Sequence, residues 1–206
     1  MPLRQRWAIA LAAGVLAGCG SAISSTSTAR LLTGDPVRYL VQIDDLSAPG
    51  FTVAEAARAT TAAEIAGSDS SLAGALHDGG LKGAAVVRYL HAEPQLATAN
   101  GPLDVISTVE LLASSDGATE AYASAVRHAD AVSGAVAVST GPLGAQAHAD
   151  MLVATASDQT QVVQFTVTFR VANAVDVLVT RGRLGGTAIA DALIIAGKQA
   201  ARQAAG

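Results

Sequence analysis

Any metal centre, acid–base pair or acyl-transfer site in this chain must be built from one cysteine, four histidines and 17 acidic residues. The histidines are His77, His91, His128 and His148. Metal sites draw several ligands together, often His or Cys at short helical spacing, and no such run occurs. Two fragments come nearest: His128 with Asp130, and His148 with Asp150. Two residues apart on a strand, His148 and Asp150 share a face; two apart on a helix, His128 and Asp130 diverge. Each histidine therefore reads as a solvated surface group, and no metal or cofactor is expected. Asp44, Asp45 and Glu110 are carboxylates without a visible partner. Paired carboxylates can work as acid and base, but only folding would create the pair. No G-x-S-x-G occurs, no glycine-rich phosphate loop follows a strand, and Ser139 before Thr140-Gly141-Pro142 reads as a turn residue. Lysine is limited to Lys82 and Lys198, so no phosphate-clamping lysine is evident. No catalytic residue is assigned, and an enzyme is the least favoured class.

The cysteine is Cys19, and its surroundings are informative. Arg4 and Arg6 precede an apolar, uncharged run from Trp7 to Val15, and Leu16-Ala17-Gly18-Cys19 follows at once. About 12 apolar residues are too few to span a bilayer, which takes about 20, but suit the core of a secretory signal. The four residues 16–19 resemble the lipobox of bacterial lipoproteins. The alternatives are an uncleaved anchor or an ordinary signal with a chance cysteine; the charged start, apolar run and motif together favour the lipobox. The resemblance implies cleavage before Cys19 by signal peptidase II and acylation of Cys19. Each buried CH₂ adds about 0.8 kcal/mol, so two or three acyl chains anchor a body with no spanning segment. The expected location is the extracytoplasmic face of the cell membrane or the outer membrane. Gly20, where sorting signals carry Asp, favours the outer one in a cell with two membranes.

Cleavage would remove 18 of 206 residues and leave 188, enough for one domain with a real core. Losing Arg4 and Arg6 takes the formal charge from -4 to -6. An acidic exported body is a poor nucleic-acid binder and gains no electrostatic hold on anionic lipid. Aromatic side chains are few, which weakens a case for sugar recognition by stacking. With a single cysteine there is no intramolecular disulfide.

The elements that must position these groups can be read in order. Residues 1–18 form the signal peptide. Residues 19–34 hold the acylated cysteine and a Ser/Thr-rich tether; fifteen flexible residues reach about 20 Å. Residues 35–206 form a single domain. Val37, Tyr39, Val41 and Ile43 alternate as a strand, and Thr52 with Glu55 is a possible capping box opening an Ala-rich helix. Ser68–Ser71 starts a second helix, which Gly79-Gly80 ends. Strands follow at 86–91 and 103–112. A helix capped by Ser115 or Asp116 sets Ala118, Tyr122 and Ala125 inward and Glu120, Ser124 and Arg127 in water. Short strands come at 135–139 and 150–155. The clearest strand alternates Val163, Phe165, Val167, Phe169 and Val171 with Gln164, Thr166, Thr168 and Arg170, then turns about Asn173 into Val175, Val177 and Val179. Thr187 caps a last helix whose Ile189, Ala192, Leu193, Ala196 and Ala200 face in and whose Asp191, Lys198 and Arg202 face out. Ile194 and Ile195 widen its stripe, through deeper burial or a partner contact.

Strand, strand, helix recurs at 86–131 and 161–204. Alternating strands with one polar face imply an antiparallel sheet with helices packed on one face, an α+β fold. This layout is similar to PsbP-like domains of small exported lipoproteins and to extracellular sensor domains of bacterial kinases, although those sensor domains carry disulfides. The expected function is a lipid-anchored binding or interaction module of the bacterial envelope. Its partners would be the membrane, through acyl chains on Cys19, and a small apolar ligand, a lipid or an envelope protein, held in an apolar pocket between sheet and helices. The polar strand faces and the loops at Pro94–Pro102 and Gly141–Ala147 are further candidate surfaces. The alternative is an accessory envelope component without a ligand, acting through partner subunits.

Overall fold

The computed structural model describes residues 30–46, 48–92 and 99–205; Cys19, the expected signal segment and most of the expected tether lie outside them. Among the described residues no helix is long and apolar enough to cross a membrane.

Period-two alternation builds the sheet. In β6 (Gln161–Val171) Val163, Phe165, Val167 and Phe169 share one face, and Gln164, Thr166, Thr168 and Arg170 share the other. β6 turns through Ala172 and Asn173 into β7 (Ala174–Arg183), paired in antiparallel register from Val162–Arg183 to Val171–Ala174. Beyond β7 come β3 (Asp104–Leu111), β2 (Gly83–His91) and β1 (Phe51–Thr60). Beyond β6 come β5 (Gln146–Thr155) and the short β4 (Val136–Val138). All pairs are antiparallel in one seven-stranded sheet, order β1-β2-β3-β7-β6-β5-β4. With its helices this is the α+β fold that the alternation implies.

The helices divide between the two faces instead of gathering on one. Helix α4 (Ile189–Ala205) lies on the Phe165, Val167, Phe169 and Leu178 face, where Ala192, Ile195 and Ala196 enter a solid core. Helices α1 (Ala62–Ala66), α2 (Ser70–Asp78) and α3 (Ser115–Asp130) roof the opposite, polar face. Leu72, Leu76, Ala118, Ala121 and Ala125 pack with Leu112 and Val175 at one end of that roof. A polar face therefore does not mean a wet one: Glu110 and Thr168 are each 1% exposed. Ser124, expected in water, is also buried.

Local signals were overridden at three places. Residues 51–60 form an edge strand and not an Ala-rich helix, because the backbone of β1 pairs with β2. Its two register irregularities and its charged Glu55 and Arg58 discourage pairing with another chain. The capping box occurs later, at Thr61 and Glu64. Residues 36–45 contain two 3₁₀ turns and no strand: Asp35 caps the first through Val37 N–H and Pro36 supplies a fixed φ. Thr187 spends its hydroxyl on the Gly101 carbonyl, not on the start of α4.

Helix α4 also ties down the N-terminal segment. Lys198 and Arg202, expected in solvent, donate to the Asp45 carbonyl and the Asp45 carboxylate, and Arg202 also reaches the Leu40 carbonyl. Asn173 brackets Leu32 by accepting from its N–H and donating to its carbonyl. Leu32 is buried in the main core although it falls in the expected tether. Of the two isoleucines, Ile195 is buried and Ile194 is exposed.

Helices α2 and α3 approach at Gly79 and Gly117. A Cβ on Gly117 would lie against the Gly79 carbonyl oxygen and 2.9 Å from its Cα. Gly117→Ala is therefore expected to cost about 1–3 kcal/mol, measured by urea unfolding; a variant as stable as wild type would show that the helices can part freely.

Candidate ligand-binding cleft

The roof over the polar face is incomplete. Between α1–α3 and the strands lies a cleft of about 400 Å³, within the range of small-molecule sites. The pairing registers set its floor as rows running across strands. One row is Val86, Thr108, Val177 and Thr168; the next includes Val179, Thr166 and Asp150. Ile65, Leu72, Ala125, Ala129 and Val132 supply aliphatic walls from the helices and the end of α3. The cleft is thus amphiphilic, whereas an apolar pocket was expected. Among the described residues no Phe, Tyr or Trp lines it, and its one ring is the His128 imidazole, so a ligand would be held chiefly by aliphatic contact and hydrogen bonds.

Glu110 is a buried acid set into the floor. It faces the cleft between Ala84 of β2 and Val175 of β7, and neither carboxylate oxygen has a hydrogen-bond partner among the described residues. Burial pushes its carboxyl up to about 8, so at neutral pH it is a neutral acid offering one donor and one acceptor. Behind it, on the α4 face, Asp176 accepts from Gln199 and Gln203 at 2.9 and 2.8 Å. Burial raises Asp176 well above the carboxylate range, with the nearby Glu110 adding to the effect.

The open end of the floor is stiffened by charge. Arg88 grips Asp104 with two donors at 2.9 and 3.0 Å, and Arg181 joins Asp104 to Gln164. Gln164, so oriented, donates to Thr166. At the helical rim, Asp69 performs two tasks. Its Oδ1 caps α2 by accepting from Ser71 and Leu72 N–H, and its Oδ2 lies 2.8 Å from His128 Nδ1. The hydrogen bond from His128 is the largest cause holding the Asp69 carboxyl below its usual range. Glu64, also at the rim, is lowered mainly by the Thr60 hydroxyl.

The remaining sequence candidates scatter. His77 is exposed beside Asp78, and His91 packs edge-on against Phe51 with Nε2 on the Pro49 carbonyl. Asp45 is engaged by Arg202, and Ser139 is exposed away from the cleft. His128 and Asp130 diverge as expected, while His148 and Asp150 share a face. The period-two rule could not reveal Asp130 beside that pair: His148 Nε2 lies 3.1 Å from both Asp130 Oδ1 and Asp150 Oδ2. These are the described residues able to offer three converging metal ligands. Cys19 lies outside the described residues.

No protein-family model matches the chain, and no curated protein matches its sequence. Among solved structures, the extracellular domain of PknH from Mycobacterium tuberculosis is similar at a TM-score of 0.46 and 12% identity, over 85% of this chain and 93% of that one. A likeness of that size carries nothing about ligand, location or activity.

Proposed function

We propose that this protein is a lipid-anchored, extracytoplasmic module of the bacterial envelope that binds a small amphiphilic ligand in the cleft between its sheet and α1–α3. The observation that carries the reading is Glu110: a neutral carboxyl on the cleft floor, buried, with both oxygens unpartnered. Leaving such a group without hydrogen bonds costs about 1–3 kcal/mol; both oxygens are enclosed, so a ligand hydroxyl or amide supplies the missing partners by displacing the floor side chains packed over them. The same ligand lays an aliphatic portion against Leu72, Val177 and Val179. Binding is favoured over turnover, because among the described residues no hydrogen bond joins the floor hydroxyls of Thr108, Thr166 and Thr168 to a histidine or carboxylate, although His148 and Asp150 stand opposite Thr168 and Thr166 in the register. Anchoring rests on the sequence around Cys19 and would keep the cleft beside the membrane.

Native mass spectrometry of the protein extracted from its own membrane tests both parts. Wild type should carry acyl chains on Cys19 and retain an uncharged small molecule. Val177 lies at the centre of the floor, paired with Thr108 and Thr168; Val177→Trp should lose that molecule and keep the acyl mass. Cys19→Ala should lose the acyl mass and leave the membrane fraction. An identical small-molecule complement in wild type and Val177→Trp would overturn the ligand site, and unchanged fractionation of Cys19→Ala would overturn the anchor.

A further inference from the structure

We propose that Asp130, His148 and Asp150 bind a divalent transition-metal ion, of which Zn²⁺ is the best fit, at the edge of the cleft. The inference does not depend on the ligand reading. Asp130 ends α3, and His148 and Asp150 are alternate residues of β5 on the face beneath that helix end. Their donor atoms lie within 4.8 Å of one another.

Two features separate this group from an ordinary surface ion pair. His148 presents one atom, Nε2, to two carboxylate oxygens at the same 3.1 Å. A single Nε2–H aims well at one oxygen only, so the two carboxylates share one bifurcated donor, and with the ring proton on Nδ1 both contacts set acceptor against acceptor. Asp150, meanwhile, is 5% exposed, and among the described residues its side chain bonds to His148 alone. Among the described residues no lysine, arginine, hydroxyl or backbone N–H bonds to its carboxylate, and a largely buried carboxylate with so few partners is costly. One dication at the point where the three donors converge removes both problems.

The donor set and spacing select the ion. Zn²⁺ bonds of about 2.0–2.1 Å in a tetrahedron put neighbouring ligands about 3.3 Å apart, close to the two 3.1 Å separations. An imidazole nitrogen with two carboxylates favours Zn²⁺ over Mg²⁺, which keeps its waters, and over Ca²⁺, which takes six to eight oxygens. Three protein ligands leave a fourth position. Asp150 also lines the cleft and the Asp130 side chain is 51% exposed, so that position opens towards the cleft and solvent.

Calorimetric titration of the full-length protein with ZnCl₂, with MgCl₂ as comparator, tests the site. One equivalent of Zn²⁺ should bind, with Mg²⁺ giving no saturable heat at the same concentration. His148→Gln and Asp130→Asn should each weaken Zn²⁺ by at least about tenfold, and His77→Gln, at an exposed histidine outside the group, should leave it unchanged. Asp130→Asn lies at an exposed helix end and keeps the test valid if His148→Gln fails to fold. Absence of saturable Zn²⁺ binding, or wild-type affinity in Asp130→Asn, would overturn the proposal.

Discussion

Glu110→Gln is expected to stabilise the protein by roughly 3 kcal/mol at pH 7. Burial holds the Glu110 carboxyl at about 8 in the folded state against 4.5 as the ordinary value. Between those two values the unfolded chain has released the proton and the folded chain has not, so stability falls as pH rises from 4.5 towards 8. Below 4.5 both states are protonated and the full stability is present; above 8 the whole loss has been taken. Glutamine keeps the shape and removes the ionisation. The difference between the two proteins should therefore be near zero at pH 4, grow through neutrality and level off above pH 8. Asp176, whose carboxyl is raised in the same direction, tilts both curves, which is why the difference is the quantity to measure. In thermal unfolding at pH 7 the gain should be about 6–12 °C. A difference that stays flat with pH would show that Glu110 is ionised and solvated. A stabilising substitution at a cleft residue is the pattern expected where a group is kept for binding at the expense of the fold.

The second large effect contrasts the two faces of the sheet. Phe169 is fully buried beneath α4 in the main core, so Phe169→Ala should cost about 3–5 kcal/mol, through lost transfer energy and a cavity that packed neighbours cannot fill. Val177, one register position from the same strand pair but on the opposite face, lines the cleft and is only partly buried. Val177→Ala should cost under about 1.5 kcal/mol, because it enlarges a space that already exists. Denaturant unfolding of the two variants checks the contrast. Equal costs would mean that the polar face is as tightly filled as the apolar one, and that no cleft exists in solution.

Much of the fold was legible because alternation speaks directly to strands. Val163 to Phe169 and Val175 to Val179 define the central hairpin without help from the rest of the chain. The stripe from Ala192 to Ala200 likewise defines α4. The edge was harder: nothing local in Thr52 to Ala59 separates a strand from an Ala-rich helix, and pairing with β2 decides it. The cleft was illegible for a related reason. Thr166, Thr168 and Glu110 sit on polar strand faces whether water or helices lie above them, and the roof is a tertiary fact. Glu110 was visible as a carboxylate without a partner, but its burial was not. His148 and Asp150 were placed on one face by period two alone, whereas Asp130 joined them only when α3 crossed β5.

The account stands on a neutral, partnerless carboxyl at the floor of the cleft, and a ¹³C NMR titration of the Glu110 side-chain carboxyl observes it directly. A midpoint near 8 is expected in the ligand-free protein. A midpoint near 4.5, the value of a solvated glutamate, would contradict it.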